Sequence, residues 1–211
     1  MFLSKLLLNP RSKQVMNEIN DPYQMHRTIM NAFFDNGTEQ PGRVLFRVEI
    51  SKRIPDITLL VQSEQEPDWQ KLIDKFSAYL SEKDNKYEYK KIMLPLDNGQ
   101  RLRFRLRANP TVKKITDGKK NGKRIGILDE KEQKEWMNRK AKAGGFKVID
   151  CTVIDEGFFN SQKNGRKLTF LSVRFEGFLE VIETDKFLNC LKSGIGPAKG
   201  LGFGLLSIAP V

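Results

Sequence analysis

The sequence predicts an α+β protein built from two tandem ferredoxin-like domains, each running β-α-β-β-α-β. Three observations carry that prediction. Segments of strand period and helix period follow one another in that order twice along the chain. A turn-rich stretch, Pro95–Gly99, lies between the two runs and sets the domains at 1–94 and 95–211. The 211 residues are 39% hydrophobic with 14 Phe and 2 Trp, enough for one large or two small cores. The repeat is one of topology, because the halves share no visible sequence period.

Phe2–Leu8 reads as a buried strand and Asn9–Asn20 as a connection carrying Arg11 and Lys13. Asp21–Phe33 is a helix: Asp21 is a good N-cap, Pro22 suits the first position and Gln24 falls where a capping box places its second member. Met25, Ile29, Ala32 and Phe33 then recur at helical spacing. His26 lies at the edge of that stripe, with Tyr23 further round and Arg27 beyond both. Asp35–Gly42 is a turn-rich loop. Val44–Ile50 alternates as a half-buried strand, joined to Ile57–Val61 by the short link Ser51–Asp56. Asp68 caps an amphipathic helix with Trp69, Leu72, Ile73, Phe76, Tyr79 and Leu80 on one face, and Tyr87–Leu94 closes the unit.

In the second unit Arg101–Ala108 alternates strictly, Leu102, Phe104 and Leu106 against Arg101, Arg103, Arg105 and Arg107. Those arginines stand about 6.6 Å apart along one face. They invite an anion there, unless acidic partners within the fold take them. Asn109–Gly126 is a long basic loop, expected to be mobile until bound, with Gly118, Gly122, Lys113, Lys114, Lys119, Lys120, Lys123 and Arg124. A helix over Asp129–Ala143 ends at Gly144–Gly145. Strands Phe146–Ile154 and Leu168–Phe178 flank Asn160–Lys167, whose Asn164-Gly165 pair marks a hairpin crowned by Lys163, Arg166 and Lys167. Thr184–Leu191 is a helix, Gly194–Gly204 a glycine-rich loop and Leu205–Ile208 the last strand.

The net charge of +11 is concentrated. Lys90–Lys147 holds 18 basic against 6 acidic residues, +12, and the flanking parts are close to neutral. Binding a polyanion to such a block releases condensed counterions, so nucleic acid is the expected partner; the plain alternative is a solvated charge run. No apolar run approaches the roughly 20 residues of a membrane span, and Met1–Leu8 is short for a signal peptide, so the protein reads as cytoplasmic. Cys151 and Cys190 are too few for a disulfide framework. With a single histidine they make no zinc site, and no cofactor is expected.

His26 is that histidine, and no other side chain titrates near pH 7 without strong perturbation. A lone histidine on a stripe edge is more often structural, and Tyr23 reads equally well as a core-edge aromatic. Gly194, Gly196, Gly200, Gly202 and Gly204 punctuate a loop that follows a helix and precedes a strand, the reverse of a dinucleotide fingerprint. Lys199 is followed by Gly200, which excludes a phosphate-loop. The loop is either a helix cap with a tight turn or a nucleic-acid or interdomain contact.

The stretches MFLSKLLLNP, DPYQMHR, GRVLFRVE, RLRFRLRANP and above all GIGPAKGLGFGLLSIAP resemble the repeat-RNA endoribonucleases of type I-E CRISPR systems, which are Cascade subunits. The resemblance runs from Met1 to Val211. It implies two ferredoxin-like (RRM-like) domains, metal-independent cleavage of precursor CRISPR RNA, and retention of the product with its repeat hairpin. The family's catalytic histidine and neighbouring tyrosine match His26 and Tyr23, its basic hairpin matches Asn160–Lys167 and its signature loop matches Gly194–Gly204. The implied partners are the repeat hairpin and other Cascade subunits, with a monomer when free. RNA carries its own nucleophile, so a protein need only align the 2′-OH, move protons and stabilise phosphorane charge. His26 is then the proton-transfer group and Tyr23 its helper. Arg27, or a basic residue of the second domain, bears on the phosphate. Arg101, Arg103, Arg105, Arg107, Lys113, Lys114, Lys163, Arg166, Lys167 and Lys199 are the candidate RNA contacts. The competing reading is a non-catalytic RRM-like RNA-binding module in which His26 is idle.

Overall fold

Strand β1 (Phe2–Leu8) buries Ser4, Leu6 and Leu8 and turns Lys5 to water, the alternation that a pleated strand imposes. The computed structural model describes residues 1–33, 41–51, 56–82, 86–114, 122–163 and 165–211; for Lys123, Gln162, Lys163, Arg166 and Lys167 it describes the backbone only. The expected turn over 35–40, the link 52–55, Gly118, Lys119, Lys120 and Asn164 lie outside the described residues. The chain forms two compact units. The first comprises Met1–Leu94 with Asn160–Leu168 and Lys199–Gly202; the second comprises Pro95–Phe159, Thr169–Ala198 and Phe203–Val211.

In the first unit β1 is followed by helices α1 (Lys13–Asn20) and α2 (Pro22–Met30), strands β2 (Val44–Ile50) and β3 (Ile57–Ser63), helix α3 (Trp69–Lys75) and strand β4 (Tyr87–Lys91). The sheet order is β2-β3-β1-β4 with every pair antiparallel, the ferredoxin-like order. Leu6, Leu8, Met25, Ile29, Phe46, Leu59, Val61, Trp69, Leu72 and Tyr79 make its core.

Helix α1 falls where a plain connection was expected. Its inward face mixes the buried Val15 and the partly buried Ile19 with a carboxylate, an apolar pattern too short to announce a helix. Glu18 is 6% exposed and its oxygens accept hydrogen bonds from Gln14 Nε2 (2.8 Å), Thr28 Oγ1 (2.7 Å) and Tyr79 Oη (2.7 Å). Burial first, then Glu18, pushes the Tyr79 hydroxyl far above the usual phenol range, which keeps it the donor.

Two other expectations need correction. Gln24 does not close a capping box; its Oε1 accepts from Arg27 Nη1 at 3.2 Å, and Asp21 caps α2 alone through the Tyr23 N–H at 3.2 Å. Helix α3 stops at Phe76, short of Tyr79 and Leu80. That segment instead pairs with the end of β1, through Asn9 N–H to Tyr79 O (2.9 Å) and Ser81 N–H to Leu7 O (2.8 Å), so Tyr79 and Leu80 reach the core from a turn. Strand β2 also departs from simple alternation: Ile50 is 62% exposed, and Arg47 is 2% exposed with its Nε donating to Glu49 Oε1 at 2.7 Å.

The second unit runs β5 (Arg101–Ala108), β6 (Thr111–Lys114), β7 (Lys123–Gly126), α4 (Glu130–Ala143), β8 (Phe146–Lys163), β9 (Arg166–Val181), α5 (Thr184–Ser193) and β10 (Leu206–Pro210). Its main sheet has the order β10-β5-β9-β8, again ferredoxin-like, and β6 pairs with β7 in a separate ribbon. The expected mobile loop after β5 is therefore structured over its described ends. Leu102, Phe104 and Leu106 are buried, as the alternation required, and the Trp136 ring stacks on Phe175 at 6.0 Å. Strands β8 and β9 run well past the expected ends at Ile154 and Phe178. Ladder hydrogen bonds carry them where apolar alternation fades.

Replacing Tyr79 by Phe removes one donor from the buried Glu18 carboxylate. Urea unfolding should show a loss of about 1–3 kcal/mol with an unchanged slope. A loss under half of the lower figure would mean that Tyr79 contributes packing alone.

Candidate active site

The Asp21 carboxylate organises the start of α2. The oxygen that accepts the Tyr23 N–H also accepts the hydroxyl of Ser161, a residue only 3% exposed on β8 and part of the first unit. At the other end Asn31 Nδ2 donates to the carbonyls of Arg27 (3.0 Å) and Thr28 (2.9 Å), and Lys75 Nζ donates to Asn31 Oδ1 at 2.8 Å. Between them Thr28 is tied to Glu18. The helix is held at three points along its length, so its rotation, and the direction of each outward side chain, is set.

On that helix Tyr23 and His26 are one turn apart and half-buried, and Arg27 is exposed. The His26 ring lies 6.5 Å from the Phe46 ring at a tilt of 41°. The backbone of Gly200 also lies against it: a Cβ added there would stand 3.3 Å from both Cδ2 and Nε2 of the imidazole. Gly202, at φ +81°, lies against Phe46 in the same way, a Cβ meeting Cε2 at 3.3 Å. The single 3-10 turn Lys199–Leu201 thus rests on the His26–Phe46 pair. Any side chain at 200 would press on the ring.

The described contacts of the glycine loop fit the first of the two roles left open by its sequence, a helix cap with a tight turn. Gly194 ends α5, its N–H bonded to Cys190 O at 2.9 Å, and Gly196 packs on Trp136. The loop closes through Ile195 N–H to Gly204 O (2.9 Å) and Gly204 N–H to Arg107 O (2.8 Å). Ala198, at φ +61°, is the one non-glycine with a left-handed backbone among the described residues, immediately before the turn on His26.

The arginine row of β5 meets more acid than its own segment suggested. Arg105 Nε is 2.7 Å from Glu176 Oε1; Arg107 forks onto Glu156 at 2.6 and 3.1 Å, where Ser172 also donates. Arg103 Nε donates to Pro210 O at 3.2 Å, and Arg101 is exposed. The partners come from β8 and β9, distant in sequence. Lys113 and Lys114 are exposed on β6, and Lys199 is half-buried at the start of the turn. The side chains of Lys163, Arg166 and Lys167 lie outside the described residues, their backbones forming the hairpin ends of β8 and β9. Cys151 is a weak nucleophile, because burial pushes its thiol up to about 11.

The first unit therefore gathers Tyr23, His26, Arg27, Lys199, Gly200, Gly202 and the hairpin ends; the arginine row, Lys113, Lys114, Gly194, Gly196 and Gly204 belong to the second. Phe46 and Ser161 were not legible as site residues. Phe46 reads as one more apolar strand residue and Ser161 as a polar residue in a turn, with no pattern pointing to either. No described helix is long and apolar enough to cross a membrane.

A family model described as CRISPR associated protein matches residues 1–210. The chain is 34% identical to the CRISPR-associated endoribonuclease Cse3 of Thermus thermophilus and 31% identical to the CRISPR system Cascade subunit CasE of Escherichia coli, in both cases over 100% of each chain. Among solved structures it is similar to Thermus thermophilus Cse3 bound to an RNA representing a pre-cleavage complex, with a TM-score of 0.87 and 34% identity over 99% of this chain and 98% of that one. It is also similar to Cas6e from Escherichia coli, with a TM-score of 0.71 and 29% identity over 100% of both. On a match along nearly its whole length, the chain belongs to the family of CRISPR-associated proteins.

Proposed function

We propose that this protein is an endoribonuclease that cleaves precursor CRISPR RNA within the repeat hairpin and stays bound to the mature RNA as a Cascade subunit. The observation that carries the reading is the setting of the chain's one histidine: half-buried on a helix pinned at three points, its ring edge against a glycine-walled turn, with Tyr23 one turn away. The full-length likeness to a named endoribonuclease supports it. In this reading residues 1–94 form the domain carrying the catalytic helix, and residues 95–211 the domain carrying the basic hairpin and glycine-rich loop. The protein is a monomer when free and works in the cytoplasm.

The reaction is a transesterification. The 2′-oxygen bonds to the adjacent phosphorus as the bond from phosphorus to the 5′-oxygen breaks. One proton leaves the 2′-OH and one reaches the leaving oxygen, giving 2′,3′-cyclic phosphate and 5′-OH ends. His26 transfers one of these protons, Tyr23 orients the attacking hydroxyl and Arg27 offsets phosphorane charge. The nucleophile belongs to the substrate, so the step calls for alignment and proton transfer rather than a metal-activated water. Lys163, Arg166, Lys167, Arg101, Arg103 and Lys199 hold phosphates of the stem and its flank. Arg105 and Arg107 carry less net attraction, because carboxylates already face them.

His26→Ala should lower single-turnover cleavage of a repeat hairpin by roughly 10²–10⁴-fold with affinity within about twofold of wild type. A 2′-deoxy at the scissile nucleotide should stop the wild type equally. Undiminished cleavage by the variant would leave a passive RNA-binding module as the correct reading. EDTA should leave the rate unchanged, and loss of activity on chelation would contradict the mechanism. Ser161→Ala should slow cleavage about five- to tenfold, the scale of a weakened helix cap, and Ser161→Thr should restore it. A wild-type rate in Ser161→Ala would show that the Asp21 cap holds α2 without it.

A further inference from the structure

The ribbon β6–β7 holds a charge pattern that its own stability argues against. Its register sets Lys113 opposite Arg124 and Lys114 opposite Lys123. Directly opposed residues of an antiparallel pair lie about 4.5–5.5 Å apart at Cβ, where like charges destabilise the pairing, and a lone two-stranded ribbon is marginal in water to begin with. Lys113, Lys114 and Arg124 are exposed, and among the described residues no carboxylate pairs with any of them. The contrast with β5, in the same unit, is direct: there Glu156 and Glu176 answer Arg107 and Arg105. The ribbon is nonetheless anchored. Ile127 N–H bonds Pro110 O at 3.0 Å across its base, Ile127 is 4% exposed, and Gly126 lies against Leu171.

The pattern also selects the form of anion. Successive residues point to opposite faces, so Lys113 and Arg124 mark one face and Lys114 the other. The exposed apolar residues beside them are Val112 and Ile125, neither of which offers a ring for a base to stack on. Cations on both faces without a stacking platform suit the two phosphate rows that line a duplex groove, not an unstacked single strand.

We propose that the β6–β7 ribbon is a clamp for the phosphate rows of the double-stranded RNA stem, through Lys113, Lys114 and Arg124. The clamp is independent of base sequence and rests on the function proposed above only for the identity of the RNA. The test compares wild type with K113A/K114A/R124A, binding an uncleavable 2′-deoxy repeat hairpin over a range of salt, and an unstructured RNA of the same length. For the hairpin the variant should bind at least tenfold more weakly at low salt, and the plot of log affinity against log salt should be shallower by about 2–3, the release of as many counterions. For unstructured RNA the two proteins should match, and K113R/K114R should keep the wild-type slope. An unchanged slope on the hairpin overturns the clamp, as does an equal loss on both RNAs. Unaltered RNA binding with lost assembly onto other Cascade subunits also overturns it and assigns the ribbon to an acidic protein surface. A wild type that binds the hairpin no better than unstructured RNA removes the proposed function and the clamp together.

Discussion

One buried carboxylate governs the first unit. A lone charge in an apolar core would cost several kcal/mol. Three donors, from Gln14, Thr28 and Tyr79, surround the Glu18 carboxylate. Satisfying that single group joins α1, α2 and the segment after α3, and it leaves α2 little freedom to roll. A hydrophobic contact at the same place would tolerate sliding; hydrogen bonds near 2.7 Å do not. The direction in which His26 and Tyr23 leave the helix follows from it.

The second constraint is an absence of atoms. Gly200 and Gly202 let a backbone turn lie on the imidazole of His26 and the ring of Phe46 at distances where a side chain would crowd both. The turn follows a strained Ala198, so the loop holds its shape against local preference. A ring held between an aromatic face and a peptide wall keeps one orientation, which is what a proton-transfer group needs if its distance to a reacting oxygen is to be reproducible.

Charge in the second unit is divided between internal use and outward use. On β5 the arginines nearest the sheet's carboxylates are taken up by Glu156 and Glu176, whereas on the β6–β7 ribbon Lys113 faces Arg124 with no carboxylate paired to either among the described residues. A count of basic residues treats the two alike. Their surroundings make the first a fold-holding network and leave Lys113, Lys114 and Arg124 exposed.

Much was legible from the sequence. Strands β1, β2 and β5 fall at their expected bounds, and in β5 the strict alternation of Leu102, Phe104 and Leu106 with arginines is seen in the burial as well. Asp21 and Asp68 marked the starts of α2 and α3 because capping is a local matter. The position of His26 on a stripe edge followed from the helical period. Other features were beyond its reach. Helix α1 shows only Val15 and Ile19 as an apolar period, because Glu18 occupies the rest of its inward face. The end of α3 was decided by pairing with β1, and the partners of Arg105 and Arg107 lie some fifty or more residues away. Local periodicity and composition determined which segments are strands and helices and which residue types they carry. Tertiary structure alone decided which charges are spent inside the fold and what touches His26, because those depend on atoms that only folding brings within hydrogen-bonding distance.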